Sequence, residues 1–170
     1  SWNDAQADIG WFNERHSETK SRVRLPTESE WEFAARGGSS APYPWGLTPE
    51  SSCSHANLAD RSHGAANNLV CDDGYASVAP TAPFSAHAYG VYDRPGTVWA
   101  GTCSVYDAEY AGAEKQCAAN DAGGNRSSRG GSYDDDAKGG RIANRSSIPP
   151  NIAISLQGFR LARHGKTDAL

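Results

Sequence analysis

The stretch Arg24-Leu-Pro-Thr-Glu-Ser-Glu-Trp-Glu-Phe-Ala-Ala-Arg-Gly-Gly38 decides how this chain is read, because it spells out a helix with both of its ends. Thr27 is placed to cap it, since a threonine hydroxyl accepts a bond from a first-turn amide that has no partner inside the helix. Glu30, three residues on, reaches back to the Thr27 amide and completes a capping box. Pro26 and Trp31 stand at hydrophobic-staple spacing. Gly37 and Gly38 supply the left-handed residue that stops a helix. The spacing therefore predicts a helix over 27–36. Upstream, Ser1 and Asp4 form a second capping box. Trp2, Ala5, Ile9 and Phe12 recur at three- and four-residue steps, which predicts an amphipathic helix over 1–16.

Outside these helices the chain is rich in turn formers. Its 170 residues include 18 Gly and 9 Pro, while five Trp and seven Tyr supply bulky core material. That balance predicts a loop-rich fold with short strands rather than a bundle. The length fits one domain over 1–170. A formal charge of -4 leaves no electrostatic footprint for nucleic acid. No stretch is long enough to cross a membrane, so direct insertion is not expected either.

Residues 17–24 read as a polar connector. From Gly37 to about Phe84 no period holds, and loops that long are usually functional or tied down by a metal or a disulfide. Tyr89–Tyr92 reads as a short strand before a turn at Arg94-Pro-Gly96. Val98 and Trp99 start another strand, which Cys103–Tyr110 extends. Residues 128–133 (Ser-Arg-Gly-Gly-Ser-Tyr) read as a strand whose glycines permit close backbone approach. Residues 134–157 are aperiodic, and Gly158–Arg163 alternates Phe159 and Leu161 with Arg160 in strand fashion.

The four cysteines, Cys53, Cys71, Cys103 and Cys117, include no Cys-x-x-Cys pair, which argues against a closed zinc site. Three disulfide connectivities are open, as is the fully reduced state. Pairing 53–71 and 103–117 closes two short loops, each contributing roughly 3 kcal/mol. That pairing is favoured, and it would point to an extracytoplasmic or cell-surface compartment.

The ordered set Ser1-Trp-Asn-Asp-Ala5, Arg24–Gly38, Tyr43-Pro-Trp-Gly46, Ala56-Asn57, Asp73-Gly74, Tyr89-Gly-Val-Tyr-Asp93, Val98-Trp99, Arg129-Gly-Gly-Ser-Tyr133 and Gly158-Phe-Arg160 resembles the formylglycine-generating enzyme (sulfatase-modifying factor) family. The resemblance implies an α+β, C-type-lectin-like fold, loop-rich, with short antiparallel strands and two helices. It covers nearly the whole chain. The family's usual stretch before the first helix has no counterpart here, so the chain is expected to be the C-terminal part of a longer domain or a compact variant.

The family's oxidase chemistry uses two cysteines just after the Gly-Gly-Ser-Tyr strand to bind copper and activate oxygen, because thiolates are soft, redox-active ligands. Here that segment reads Asp134-Asp-Asp-Ala-Lys-Gly-Gly-Arg141. Copper is therefore not expected, and the chain is read as non-catalytic. Ergothioneine-type relatives use a histidine iron site. His16, His55, His63, His87 and His164 share no ligand spacing, so iron is not expected either. The resemblance also implies one structural calcium ion, held by the side chains of Asn57 and Asp73 and the carbonyls of Leu58 and Tyr75. Calcium is a hard cation that takes such oxygens. The plain alternative is that Asn57 and Asp73 make turn hydrogen bonds. A second calcium site in the family uses a Gly-Asn-Val-Trp-Glu-Trp motif. In Gly96-Thr-Val-Trp-Ala-Gly101, Thr97 replaces Asn, Ala100 replaces Glu and Gly101 replaces the second Trp, so that site is expected to be absent.

The departures cluster in 97–105 and 134–157, between intact scaffold motifs. This pattern is similar to the variable proteins of diversity-generating retroelements, where adenine-specific mutagenesis diversifies a binding surface on the same framework. Within 134–157 only Lys138 and Gln157 lie outside the residues reachable from an Asn codon by adenine substitution. The resemblance implies a ligand-binding region over 97–157. Its candidate contacts are Thr97, Ala100, Thr102, Ser104, Tyr106, Asp134, Asp135, Asp136, Arg141, Asn144, Ser146, Ile148, Asn151, Ile152, Ile154 and Leu156, with Ile142 and Arg145 beside them. The partner implied is a protein or cell-surface ligand. The alternatives are an oxidoreductase relative of the sulfatase-modifying type and an accessory domain of a larger kinase or surface protein.

Overall fold

The structure is a computed structural model that describes residues 1–18, 22–64, 69–93 and 95–163. Both capping boxes form. Ser1 caps α1 (Trp2–Arg15) with Asp4 reaching back, and Thr27 caps α2 (Glu28–Arg36) with Glu30 reaching back. Gly37 ends α2 with φ +55°, in the left-handed region that an L side chain rarely adopts. Arg24 adds a bidentate ion pair to Glu30 at 2.6 and 2.7 Å, so a single carboxylate serves both the cap and the chain entering it.

A four-stranded sheet runs in the order β4 (Arg145–Ile148), β3 (Arg126–Arg129), β2 (Trp99–Val105), β5 (Gln157–Phe159). The first two pairings are antiparallel, whereas β5 joins β2 in parallel. Two short strands, β1 (Val23–Arg24) and β6 (Ala162–Arg163), pair separately.

Strand alternation sends successive β2 side chains to opposite faces. Cys103 joins Trp2, Ile9 and Leu25 in one apolar cluster, with Val23 packed against it. Ala100 joins Trp31, Ala35 and Ile142 in another. The sheet thus lies between the two helices. Trp2 donates its indole N–H to the Thr102 carbonyl at 2.9 Å, and the Glu28 amide donates to the Ser104 hydroxyl at 3.0 Å.

Five expectations about the strands change. The extension expected over Cys103–Tyr110 stops at Val105, where β2 ends. Tyr89–Tyr92 is a turn, closed by bonds from Gly90 N to His87 O and from His87 N to Val91 O. The strand expected over 128–133 ends at Arg129, because Gly130 and Gly131 turn to φ +92° and +72°. Gly130 leaves where the Trp31 ring presses in: a Cβ there would lie 2.7 Å from the indole. The terminal strand splits at Arg160 into β5 and β6, which belong to different sheets. The segment 134–157, read as aperiodic, contains β4. Four residues paired to β3 are too few to show a period of their own.

Both short-loop disulfides form, Cys53–Cys71 and Cys103–Cys117. The second tethers the loop after β2 to the core, where the Ala118 amide also donates to the Cys103 carbonyl at 2.7 Å. Among the described residues no helix is long and apolar enough to cross a membrane.

Candidate functional site

The loop from Ala56 to Ser77 is organised around buried oxygens. Asn57 is fully buried, and its amide donates to the Ser77 carbonyl at 2.7 Å. Its side-chain oxygen, Oδ1, is buried with no hydrogen-bond partner. Asp73 accepts from the Tyr75 amide at 2.8 Å through Oδ1, while Oδ2 is buried and unpartnered. Burial pushes the Asp73 carboxyl up to about 6, against the pull of the Tyr75 amide and with a further push from Asp60. The Leu58 backbone lies close enough to act on the same carboxyl. Buried oxygens without donors are costly, and each of these two is of the kind that a hard cation takes. The donor set of one amide oxygen, one carboxylate and two carbonyls fits calcium.

Asp60 is a further residue of this loop that the motif comparison passed over. It is fully buried and accepts from Ser62 N, Ser62 Oγ and Asp73 N. It links the two arms of the loop, which the Cys53–Cys71 disulfide also ties. Its short Asp-x-Ser turn gave no sign that the acceptor would be buried.

The loop supports the segments read as ligand-binding. The Thr97 amide donates to the Asn57 carbonyl at 2.8 Å, and the Tyr133 amide donates to the Thr97 carbonyl at 3.1 Å. Thr97 adopts φ +64°, a strained conformation for a β-branched residue. The Ala59 amide donates to the Asp135 carbonyl at 2.9 Å, and His63 pairs with Asp134 at 2.8 Å.

The proposed contact residues divide. Thr102 and Ser104 are fully buried, with hydroxyls donating to the carbonyls of Ser127 and Gln116 at 2.9 Å. Ala100 and Ile142 are buried together against Trp31. These four are packing residues: Ala100, Thr102 and Ser104 face inward from the central strand β2, and Ile142 is buried from the turn before β4, so none of them can meet a large ligand. Arg145, read as a displayed charge, instead holds Glu28 from β4, with Nη2 donating to Oε2 at 2.8 Å. Its guanidinium lies 4.7 Å from the Tyr106 ring and 3.8 Å from the Tyr110 ring. Tyr106 is thereby engaged in anchoring.

Asp135 accepts from Ser132 N and Ser132 Oγ in a local turn. Asn144 donates to the Gly139 carbonyl at 3.0 Å, and Ser146 sits in β4 opposite Ser128. Asp134, Asp136, Arg141, Asn151, Ile152 and Ile154 face solvent. The half-buried Ile148 lines a cavity with Ile154, and Leu156 accepts from the Trp99 amide at 2.7 Å.

The histidines do not converge. His16 stacks on Phe12, His55 on Trp45, and His87 meets Tyr89 edge-on; His164 lies outside the described residues. Among the described residues no group of three or more His, Cys, Asp or Glu side chains gathers in a way that could hold a metal. All four cysteines are in disulfides.

A groove of about 830 Å³, unforeseen from the sequence, opens beside α2, with Trp31, Val78, Tyr92, Phe159 and Leu161 in its lining. Phe159 and Leu161, read as alternating strand residues, are 43% and 47% exposed. Of the groove's charged side chains, Glu30 is held by Arg24, and Arg160 donates to the carbonyls of Tyr92 and Asp93. Asp93 also lines it, with Oδ2 accepting from the Ala82 amide at 2.8 Å and Oδ1 buried without a partner.

Comparison with known proteins agrees with this architecture. The chain is 33% identical over 173 residues to the formylglycine-generating enzyme of Thermomonospora curvata, covering 95% of this chain and 53% of the relative. It is 36% identical over 169 residues to the inactive C-alpha-formylglycine-generating enzyme 2 of Bos taurus, covering 95% and 48%. The chain therefore spans about half the length of these curated relatives. Among solved structures, PvdO from Pseudomonas aeruginosa superposes with a TM-score of 0.78 at 25% identity, over 95% of this chain and 59% of that one. Treponema denticola variable protein 1 superposes with a TM-score of 0.63 at 24% identity, over 83% and 47%, a likeness of fold. Residues 1–165 match the sulfatase-modifying factor enzyme 1-like domain, and the chain belongs to that family.

Proposed function

We propose that this chain is a non-catalytic ligand-binding protein whose C-terminal half displays a binding surface on a formylglycine-enzyme-like scaffold. One observation carries the reading. Where the oxidase chemistry needs a cysteine pair, Asp135 and Asp136 close turns with their own neighbours, and every cysteine of the chain is in a disulfide elsewhere. The relative named inactive is compatible with this, although other relatives of similar identity are named as enzymes.

The displayed contacts are Asp134, Asp136, Arg141, Asn151, Ile152 and Ile154, with Thr97, Tyr106, Asp135, Asn144, Ser146, Ile148 and Leu156 supporting them. A protein or cell-surface ligand suits such a mixture of exposed isoleucine and charge. One calcium ion on Asn57, Leu58, Asp73 and Tyr75 would neutralise the Asp73 carboxylate and stiffen the loop beneath Thr97 and Asp135. Two disulfides suit an extracytoplasmic location.

Two experiments test the proposal. Supplied with copper and a cysteine-containing sulfatase peptide, the protein should form no formylglycine; turnover would overturn the non-catalytic reading. In a library randomised at the six exposed positions, most members should keep the parent melting temperature and some should bind protein targets. General unfolding of that library would refute the display surface, because those residues would then belong to the core.

A further inference from the structure

Arg126 and Arg129 of the sheet are buried and the Arg145 side chain is 8% exposed; among the described residues, Arg126 alone of the three has no counter-charge. Arg129 and Arg145 share the carboxylates of Glu28 and Glu32. Arg126, 1% exposed, meets no carboxylate among the described residues. It donates to the carbonyls of Ala122 and Gly124 at 2.9 Å and of Gly123 at 3.4 Å. Its guanidinium lies 4.5 Å from the Trp2 ring, and its Nε–H is buried without an acceptor. A buried cation left this way is costly unless an anion reaches it.

Strand alternation puts Arg126 and Ser128 on the α1 side of β3. A cavity of about 310 Å³ opens there, with Trp2, Gly101, Arg126, Ile148, Ile154 and Phe159 in its lining. This is near the small end of ligand pockets, which run roughly 300–1,000 Å³. Gly101 stands where the related motif carries a tryptophan, so β2 sends no side chain into this space. Asp4 and Asp8, one turn apart on α1, also line the cavity, and both are exposed at its open end; Asp4 already accepts from the Ser1 ammonium and hydroxyl at 2.8 Å, which leaves Asp8 as the carboxylate to meet a ligand.

We propose that this cavity binds a small ω-amino carboxylate. The carboxylate would sit on the Arg126 Nε–H, the methylene chain against Trp2, Ile148, Ile154 and Phe159, and the ammonium beside Asp8. The inner end is cationic, the walls are apolar and the outer end is anionic, so the ligand must carry the opposite charges at its two ends. The proposal shares Ile148 and Ile154 with the display surface but rests on Arg126, which that reading does not use. Its failure would leave that reading intact.

The test is a titration with 6-aminohexanoate, hexanoate, adipate and hexylamine. It is followed by the Arg126 Nε–H resonance in a ¹⁵N–¹H spectrum, assigned by its loss in Arg126→Lys, and by tryptophan fluorescence. The 6-aminohexanoate should bind tightest and move the Nε–H signal downfield, hexanoate several-fold more weakly, and adipate more weakly again. Hexylamine should leave the signal in place. Ile154→Trp, which fills the cavity and spares Arg126, should weaken 6-aminohexanoate at least tenfold, and Asp8→Asn should narrow its advantage over hexanoate. If Arg126→Lys does not fold, the two other variants decide. An unmoved Nε–H signal at tens of millimolar 6-aminohexanoate, equal binding of adipate, or undiminished binding by Ile154→Trp would each overturn the proposal.

Discussion

Replacing Glu28 with alanine is expected to destabilise the fold by about 3–5 kcal/mol, the cost of leaving buried arginines without their carboxylate. Glu28 is 1% exposed at the first turn of α2. Its carboxylate meets Arg145 from β4 at 2.8 Å and Arg129 from β3 at 3.5 Å. Arg129 would still keep Glu32 and the carbonyls of Ala143 and Asn144 at 3.2 Å. Arg145 would keep the Asp107 carbonyl at 2.8 Å and two tyrosine rings. Neutral acceptors do not replace a carboxylate in a site that excludes water. For a domain of this size the loss corresponds to a fall in melting temperature of roughly 6–20 °C. Urea unfolding followed by tryptophan fluorescence measures it directly.

The decisive step is a double-mutant cycle. In an Arg145→Met background, Glu28→Ala should cost at least about 1 kcal/mol less, because one of the stranded cations is gone. Costs that add to within about 0.5 kcal/mol would refute the coupling and reduce the pair to incidental proximity. Glu30→Ala, on the exposed side of the same turn, serves as the contrast and should lose the cap and the half-exposed Arg24 pair, together about 0.5–2 kcal/mol.

Three further predictions concern acid, calcium and redox conditions. Arg24 holds the Glu30 carboxyl down at about 2 from an ordinary 4.5, so its contribution is complete above pH 4.5 and is lost as pH falls towards 2. Arg24→Met should flatten that acid limb of the stability profile, by less than about 1 kcal/mol because the pair is half exposed; an unchanged limb would count against the pair. In chelator near neutral pH, Asp73→Asn should be as stable as the parent or more so, because burial raises Asp73 and its charged form opposes folding above about 6. Calcium at a hundredfold its dissociation constant should then stabilise the parent alone, by about 2.7 kcal/mol; equal gains in both proteins would exclude Asp73 as a ligand. Reduction of Cys53–Cys71 and Cys103–Cys117 should cost roughly 3 kcal/mol each, read as paired falls in urea midpoint for Cys53→Ser/Cys71→Ser and Cys103→Ser/Cys117→Ser. Midpoints that do not move would show that other contacts already hold these loops.

What could be read from the chain was local. Caps, glycine stops and i,i+4 faces act between neighbours, so α1 and α2 were legible to within a residue. Short-loop cysteine pairing is local in the same sense. The proposed calcium ligands were legible only as a motif; the structure adds that Asn57 Oδ1 and Asp73 Oδ2 are buried without partners. The proposed binding surface was the least legible part. Which of Thr102, Ser104, Ile142 and Arg145 point inward depends on strand register and on what packs against each face.

Strand pairing shows the same division. β4, β5 and β6 have four, three and two residues, too few to show a period, and they exist because β3, β2 and β1 offer edges. The amino-acid sequence by itself determined the two capped helices, the family framework and the loss of the cysteine pair, because these depend on residue identity and near-neighbour geometry. Only the tertiary structure decided which arginines are paired, which isoleucines face water, and that Arg126 lies beside an open cavity with no carboxylate partner among the described residues. Burial and charge pairing are set by residues dozens of positions apart in the chain, and they exist only once the sheet has brought those residues together.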